Sequence, residues 1–243
     1  MNIIIQKKAN VFREKNGLSS SEPIRLKSLL IKLNILTLFR PLSDNFSGMA
    51  LKSGADVMFM LINSNHSIGR QHFTIAHELY HLFEQEYFEI HQCNTGLFDK
   101  KNRQECDADF YAASLLMPES GLLDLIPDAE LQNKTISIQT LLRLEQYYSV
   151  SHSAMLYRLN YLKLISENVF ESFRKINIIR TSALYGYDTN LYKAGNADVI
   201  IGDYGEKARL LYDKGKISEG HYWELMRDIG IDLTSSENEN GIE

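Results

Sequence analysis

Apolar residues recur at helical spacing in Ile24, Leu26, Leu29, Leu30 and Leu33, directly after Ser21-Glu22-Pro23, where a capping serine precedes a proline suited to a first helical turn. That pattern predicts a helix ending near Leu33. The period then changes. Leu36 and Leu38 alternate with Thr37 and Phe39, and Met49 to Leu51 and Val57 to Ile62 follow between the turn signals Pro41, Gly48 and Gly54. Three short strands in a small antiparallel sheet are expected. Behind them Gly69 closes a loop, and Phe73, Ile75, Ala76, Leu79, Leu82 and Phe83 return to helical spacing.

A further helix is predicted over about 102–116, with Ala108, Ala112 and Leu115 or Leu116 along its apolar stripe and Pro118 closing it. Polar Gln132 to Thr135 mark a boundary before two short helices, 138–148 and 153–162, joined by Ser149-Val150-Ser151 in the manner of a helix-turn-helix. Another helix follows Asp203, and one opens at Ser218-Glu219-Gly220 after the turn Lys214-Gly215-Lys216. The first segment carries no clear pattern, and the polar tail SSENENGIE is expected to be disordered. The class is α+β. The expected divisions are a catalytic domain at 1–130, a helix-turn-helix-like unit at 131–166, a C-terminal helical segment at 167–234 and the tail at 235–243.

Composition narrows the setting rather than the chemistry. No apolar run approaches the 18 or so residues of a membrane span, so no membrane association is expected. The opening MNIIIQKKAN places its apolar run before its lysines, the reverse of a secretory signal, which leads to a cytoplasmic expectation. Cys93 and Cys106 are too sparse for a disulfide framework and read as reduced thiols. A net charge of −5 argues against a protein that coats nucleic acid.

The chemistry is concentrated in His77-Glu78-Leu79-Tyr80-His81, an HExxH string. On a helix, histidines at i and i+4 leave the same face and can hold one Zn2+ ion per chain. Glu78, beside His77, is placed to act as general base on a water activated by the metal. A third ligand is needed downstream. Glu105, on the predicted second helix, is the candidate, with His91 and Asp99 as alternatives. Asp109, one turn after Glu105, is spaced to accept the remaining N–H of a metal-bound imidazole. Acidic residues also suit a helix start for electrostatic reasons alone.

The run Arg70-Gln71-His72-Phe73-Thr74-Ile75-Ala76-His77-Glu78-Leu79-Tyr80-His81, then Glu105-Cys106-Asp107-Ala108-Asp109-Phe110-Tyr111-Ala112 and Leu115-Leu116-Met117-Pro118, resembles the ImmA/IrrE family of metallopeptidases. The resemblance extends over about residues 20–165. It implies a compact thermolysin-like (zincin) catalytic domain, with Glu105 as third zinc ligand. It also implies a protein substrate, a helix-turn-helix repressor or antitoxin-like regulator cleaved in a stress response or in control of a mobile element. The chain departs from the family at Tyr80, where glycine is usual. That side chain must occupy extra room in the core or lean toward the cleft, where its hydroxyl would meet substrate. His72, His91 and Tyr111 are candidates for the oxyanion donor.

The helix-turn-helix-like unit raises direct DNA binding as a second function. Residues 151–164 supply only Arg158 and Lys163 as cations, few for contacts that phosphates dominate, so helix packing or partner docking is favoured. Trp223 and neighbouring tyrosines form either a core or a protein-binding face. The competing reading of the whole chain is a non-catalytic zinc-fold regulator that binds a partner protein or DNA. An intact Glu78 favours the enzyme, since a binding module has no need of it.

Overall fold

The computed structural model describes residues 3–54, 57–85 and 102–231. Its first element is a helix that the apolar pattern did not mark. Helix α1 (Ile3–Lys15) buries Ile5, Ala9 and Phe12, a stripe at i, i+4 and i+7, and carries Arg13 into the interior. Helix α2 (Leu26–Lys32) starts later than the Ser21-Glu22-Pro23 signal implied. The backbone there is engaged elsewhere: the Tyr148 hydroxyl donates to the Ser21 carbonyl at 2.9 Å, and the Arg13 guanidinium donates to the Glu22 carbonyl at 2.8 and 3.0 Å.

Strands β1 (Ile35–Arg40), β2 (Gly48–Ser53), β3 (Val57–Asn63) and β4 (Ile200–Ile201) form one sheet in the order β2-β3-β1-β4. β2 and β3 are antiparallel, with Gly48 opposite Ile62, whereas β1 and β3 are parallel, with Ile35 opposite Met58. The expected antiparallel sheet is therefore mixed. The chain leaves β1, returns along the outer strand β2, and its hairpin partner β3 inserts between the two in the direction of β1. The fourth strand comes from the segment expected to be helical and pairs with β1 antiparallel.

Helix α3 (Ile68–Phe83) lies along β2 and β3, and helix α4 (Arg103–Leu116) packs on it through Ala108 and Ala112, both fully buried. Gly69 belongs to the first turn of α3 rather than to the loop before it. A Cβ there would lie 2.5 Å from the Ser151 nitrogen and 2.7 Å from the Val150 carbonyl carbon, so glycine permits a backbone-to-backbone approach. The Asn102 side chain starts α4, accepting from the Gln104 and Glu105 amides at 3.1 and 3.4 Å.

Beyond α4 come α5 (Glu119–Leu125), α6 (Asp128–Asn133), α7 (Ile138–Tyr148), α8 (His152–Tyr161), α9 (Glu167–Arg174), α10 (Ile178–Leu184), α11 (Tyr204–Asp213) and α12 (Glu219–Asp228). Ser137 and Ser151 cap α7 and α8. A single apolar cluster runs from Ile5 through the sheet, α3, α4, α7 and α8 to Ile201. Helices α11 and α12 have a small cluster of their own, Ala208, Tyr222 and Met226, against which Trp223 packs half-buried.

Charged groups hold the helix ends in this core. Arg13 Nε donates to the Leu115 carbonyl at 2.9 Å, and Arg158 Nε donates to the Met117 carbonyl at 3.0 Å, both at the C-terminal end of α4. Burial pushes each guanidinium down to about 10. Arg158, one of two cations offered by residues 151–164, is only 2% exposed. A buried carboxylate, Glu145, lies 2.6 Å from His152 Nδ1 and accepts from the Tyr192 hydroxyl at 2.7 Å, tying α7 and α8 to the C-terminal segment. Among the described residues, no helix is long and apolar enough to cross a membrane. Cys93 and the polar tail lie outside the described residues, and Cys106 is half-buried on α4.

Candidate metal centre

His77 and His81 sit one turn apart on α3, and their rings leave the same face, with centroids 4.9 Å apart and Nε2 atoms 3.1 Å apart. Helix α4 brings Glu105 against them from its first turn. Its Oε2 lies 3.2 Å from His77 Nε2 and its Oε1 3.5 Å from His81 Nε2. The three residues offer ligand atoms all within 4.8 Å of one another. Both histidines are buried, while the Glu105 side chain retains 20% exposure, so the centre faces solvent on its Glu105 side.

The outer nitrogens decide what this cluster can hold. His77 Nδ1 lies 2.9 Å from Asp109 Oδ1, and His81 Nδ1 lies 2.6 Å from Gln85 Oε1. Carboxylate and amide oxygens accept, so each Nδ1 carries the proton and donates it. A neutral imidazole then presents a lone pair at Nε2. Two such lone pairs and a carboxylate converge, a donor set that can hold one metal ion. The residues fit a divalent cation. Glu78, next to His77 along α3, is 1% exposed.

A model of the IrrE N-terminal-like domain, peptidase family M78, matches residues 32–160, more than half of the chain, from just before β1 into α8. The protein belongs to the ImmA/IrrE family of metallopeptidases. No curated protein gives a significant match to the chain.

Other sequence candidates in this M78 metallopeptidase lie around the centre or away from it. His72, five positions before His77, is turned about 140° around the helix. It donates from Nδ1 to the Ser149 carbonyl at 2.7 Å and lines a cleft with Arg25, Lys27 and Tyr148. Burial lowers its pKa, and the bond to Ser149 opposes this only in part. Tyr80 is 6% exposed, 5.5 Å from the Tyr111 ring and 5.7 Å from the His81 ring, with the Lys8 ammonium 5.7 Å from its centroid. The room that family glycine would leave is thus filled by a ring packed between α1 and α4. Its hydroxyl is pushed up to about 12, mainly by burial and further by Asp107 and Glu84. Tyr111 is fully buried between Phe12 and Tyr80, and its hydroxyl has no hydrogen-bond partner among the described residues. Burial, with Glu84 adding to it, raises that hydroxyl's pKa. His91 and Asp99 lie outside the described residues.

Gln85 escaped the sequence reading. Its signal was spacing alone: it stands four positions after His81, as His81 stands four after His77.

Proposed function

We propose that this chain is a cytoplasmic, zinc-dependent regulatory endopeptidase that hydrolyses a peptide bond in a protein substrate, a helix-turn-helix repressor or antitoxin-like regulator. The observation that carries the reading is the convergence of His77 Nε2, His81 Nε2 and the Glu105 carboxylate within one helix pair. Zinc, when bound, supplies a Lewis acid that polarises a carbonyl and lowers the pKa of a coordinated water to about 7. Asp109 keeps the His77 proton on Nδ1, and Glu105 supplies the negative charge of the ligand set. Glu78 takes the proton of the attacking water and returns it to the departing amine.

The arrangement beside α3 suits an extended peptide, as a thermolysin-like domain requires. β2 is one of the two outer strands of the described sheet, at the edge away from β4, and runs alongside α3. A Cβ on Gly48 would lie 2.6 Å from Thr74 Cγ2, and Lys52 Nζ donates to the Leu82 carbonyl at 3.3 Å. A substrate segment adding to that edge would pass along the His77 to His81 stretch. Helices α7 and α8 serve packing and partner docking in this reading, because Arg158 is committed to the end of α4 and leaves Lys163 as the exposed cation of residues 151–164.

The test pairs metal content with cleavage. Purified protein is expected to hold about one zinc per chain, and His77→Ala or His81→Ala to lose it. Glu78→Gln is expected to keep zinc and lose cleavage of a co-expressed helix-turn-helix regulator. Unchanged zinc in both histidine variants, or near wild-type turnover by Glu78→Gln, overturns the reading. Specific, salt-resistant binding of the protein to promoter DNA with no regulator cleaved would replace it with a DNA-binding function.

A further inference from the structure

We infer that Gln85 is the positioning residue for His81, holding the ring in the tautomer and plane that turn Nε2 toward the metal. The inference rests on the metal reading above and deepens it. Gln85 belongs neither to the HExxH string nor to α4, and it follows Glu84, the residue that caps the C-terminal end of α3. Its side-chain oxygen stands 2.6 Å from His81 Nδ1, closer than Asp109 Oδ1 stands to His77 Nδ1 at 2.9 Å.

The position of Gln85 is itself held from two sides. Its own amide and that of Glu84 both donate to the Tyr80 carbonyl, at 3.2 and 2.8 Å, so the chain leaves the helix in a tight turn. From α1, Lys8 Nζ donates to the Glu84 carbonyl at 3.0 Å. With its backbone anchored on both sides, the carboxamide lies just past the end of the helix, and its oxygen reaches back to His81 Nδ1. Rotation of His81 about its side-chain bonds would cost that short hydrogen bond. The other tautomer would place a proton on Nε2, facing His77 Nε2 at 3.1 Å where the ligand lone pairs meet.

The two imidazoles are therefore oriented by unlike partners. Asp109 offers His77 a carboxylate oxygen, which fixes the tautomer and raises the basicity of the ligand. Gln85 offers His81 a neutral carbonyl, which fixes the tautomer without adding charge. Glu105 and Asp109 already bring two carboxylates against the histidines. A further carboxylate would neutralise more of a bound dication's charge and weaken its pull on a carbonyl. An amide at position 85 supplies orientation alone.

Zinc affinity and the His81 ring proton test this without reference to turnover. By chelator competition, Gln85→Leu and Gln85→Asn, one lacking the acceptor and the other its reach, are expected to bind zinc about 10–100-fold more weakly than wild type. Gln85→Glu keeps the acceptor and is expected to bind zinc at least as tightly as wild type. In NMR spectra of the zinc-loaded protein, the His81 Nδ1 proton should be downfield and slow to exchange in wild type and Gln85→Glu. It should lose that protection in Gln85→Asn. Wild-type zinc affinity together with an unchanged His81 proton in Gln85→Leu and Gln85→Asn overturns the inference and leaves the metal centre standing. A wild type that binds no zinc brings down both. Should Gln85→Leu fail to fold, the Asn and Glu pair carries the same decision.

Discussion

Gly69→Ala changes one hydrogen to a methyl where α3 meets the turn between α7 and α8. On an open helix surface this substitution stabilises by about 0.5–1 kcal/mol, because glycine loses more backbone freedom on folding. Gly69 has no such room. The added carbon would lie 2.5, 2.7 and 2.9 Å from the Ser151 nitrogen, the Val150 carbonyl carbon and Ser151 Cα. Carbon contacts are comfortable at about 3.5–4.0 Å, so the two backbones must separate by about 1 Å. All three atoms are main chain and cannot swing aside. Ser151 also caps α8, and the adjoining Ser149 carbonyl holds His72. Overpacking of this kind costs about 1–3 kcal/mol. Less the propensity gain, the net loss is about 0.5–2 kcal/mol, a fall in Tm of about 1–8 °C for a chain of this size. Urea denaturation measures it as a lower midpoint at unchanged slope. Gly220→Ala in α12 is the control, since nothing lies within 4 Å of a Cβ there, and it is expected to stabilise by about 0.5–1 kcal/mol. If Gly69→Ala is as stable as wild type, or moves in the same direction as Gly220→Ala, the close approach of α3 to the α7–α8 turn is wrong.

Two further outcomes follow from buried charge. Arg158→Ala removes a charged hydrogen bond to the Met117 carbonyl together with a buried aliphatic stem, and is expected to cost about 3 kcal/mol in urea denaturation without altering retention on DNA. A stable Arg158→Ala variant with weakened DNA retention would show the residue to be a phosphate contact instead. His152 should make stability fall with rising pH. Burial pulls its pKa down, but the Glu145 hydrogen bond and charge, aided by the Phe173 carbonyl, outweigh this and leave it above 6.5. The folded state therefore holds the proton more tightly than the unfolded chain. Its stabilising contribution is complete below pH 6.5 and disappears as pH rises through the raised value. His66 and His72 are shifted downward and act in the opposite sense, so the measurement is the stability gap between wild type and His152→Gln from pH 6 to 9. A gap that stays constant over that range refutes the charged His152–Glu145 pair.

Sequence reading reached the elements whose residues carry local signals. Strand alternation around Thr37, the HExxH spacing, the Pro118 that closes α4 and the Ser149-Val150-Ser151 turn between α7 and α8 all act within a few residues of the structure they specify. The family, too, was legible in the strings around His77 and Glu105. What was missed depends on partners remote in sequence. α1 has an apolar stripe of three buried residues whose meaning comes from α4, and β4 is two residues long and exists by pairing with β1. The parallel direction of β1 and β3 follows from which strand is inserted, and no residue within either strand encodes that. Gln85 looks like an ordinary polar residue after a helix until its oxygen is seen at His81.

The same remoteness explains how the centre is held. The two helices meet at the C-terminal half of α3 and the first turn of α4, where Glu105 lies at the positive end of the α4 dipole. The opposite end of α4 carries the unpaired carbonyls and the negative pole, and there Arg13 and Arg158 donate to Leu115 and Met117 from two different helices. Lys8 does the same for α3 at Glu84, one residue before Gln85. Moving α4 along its axis would break the two buried charged hydrogen bonds at its far end, and moving α3 would break the half-buried Lys8 bond just beyond His81. Two of these three cations come from α1, which precedes the stretch that matches the family. His77, His81 and Glu105 thus belong to the family region, whereas the rigidity that keeps them about 3 Å apart is supplied in part by residues 3–15 outside it.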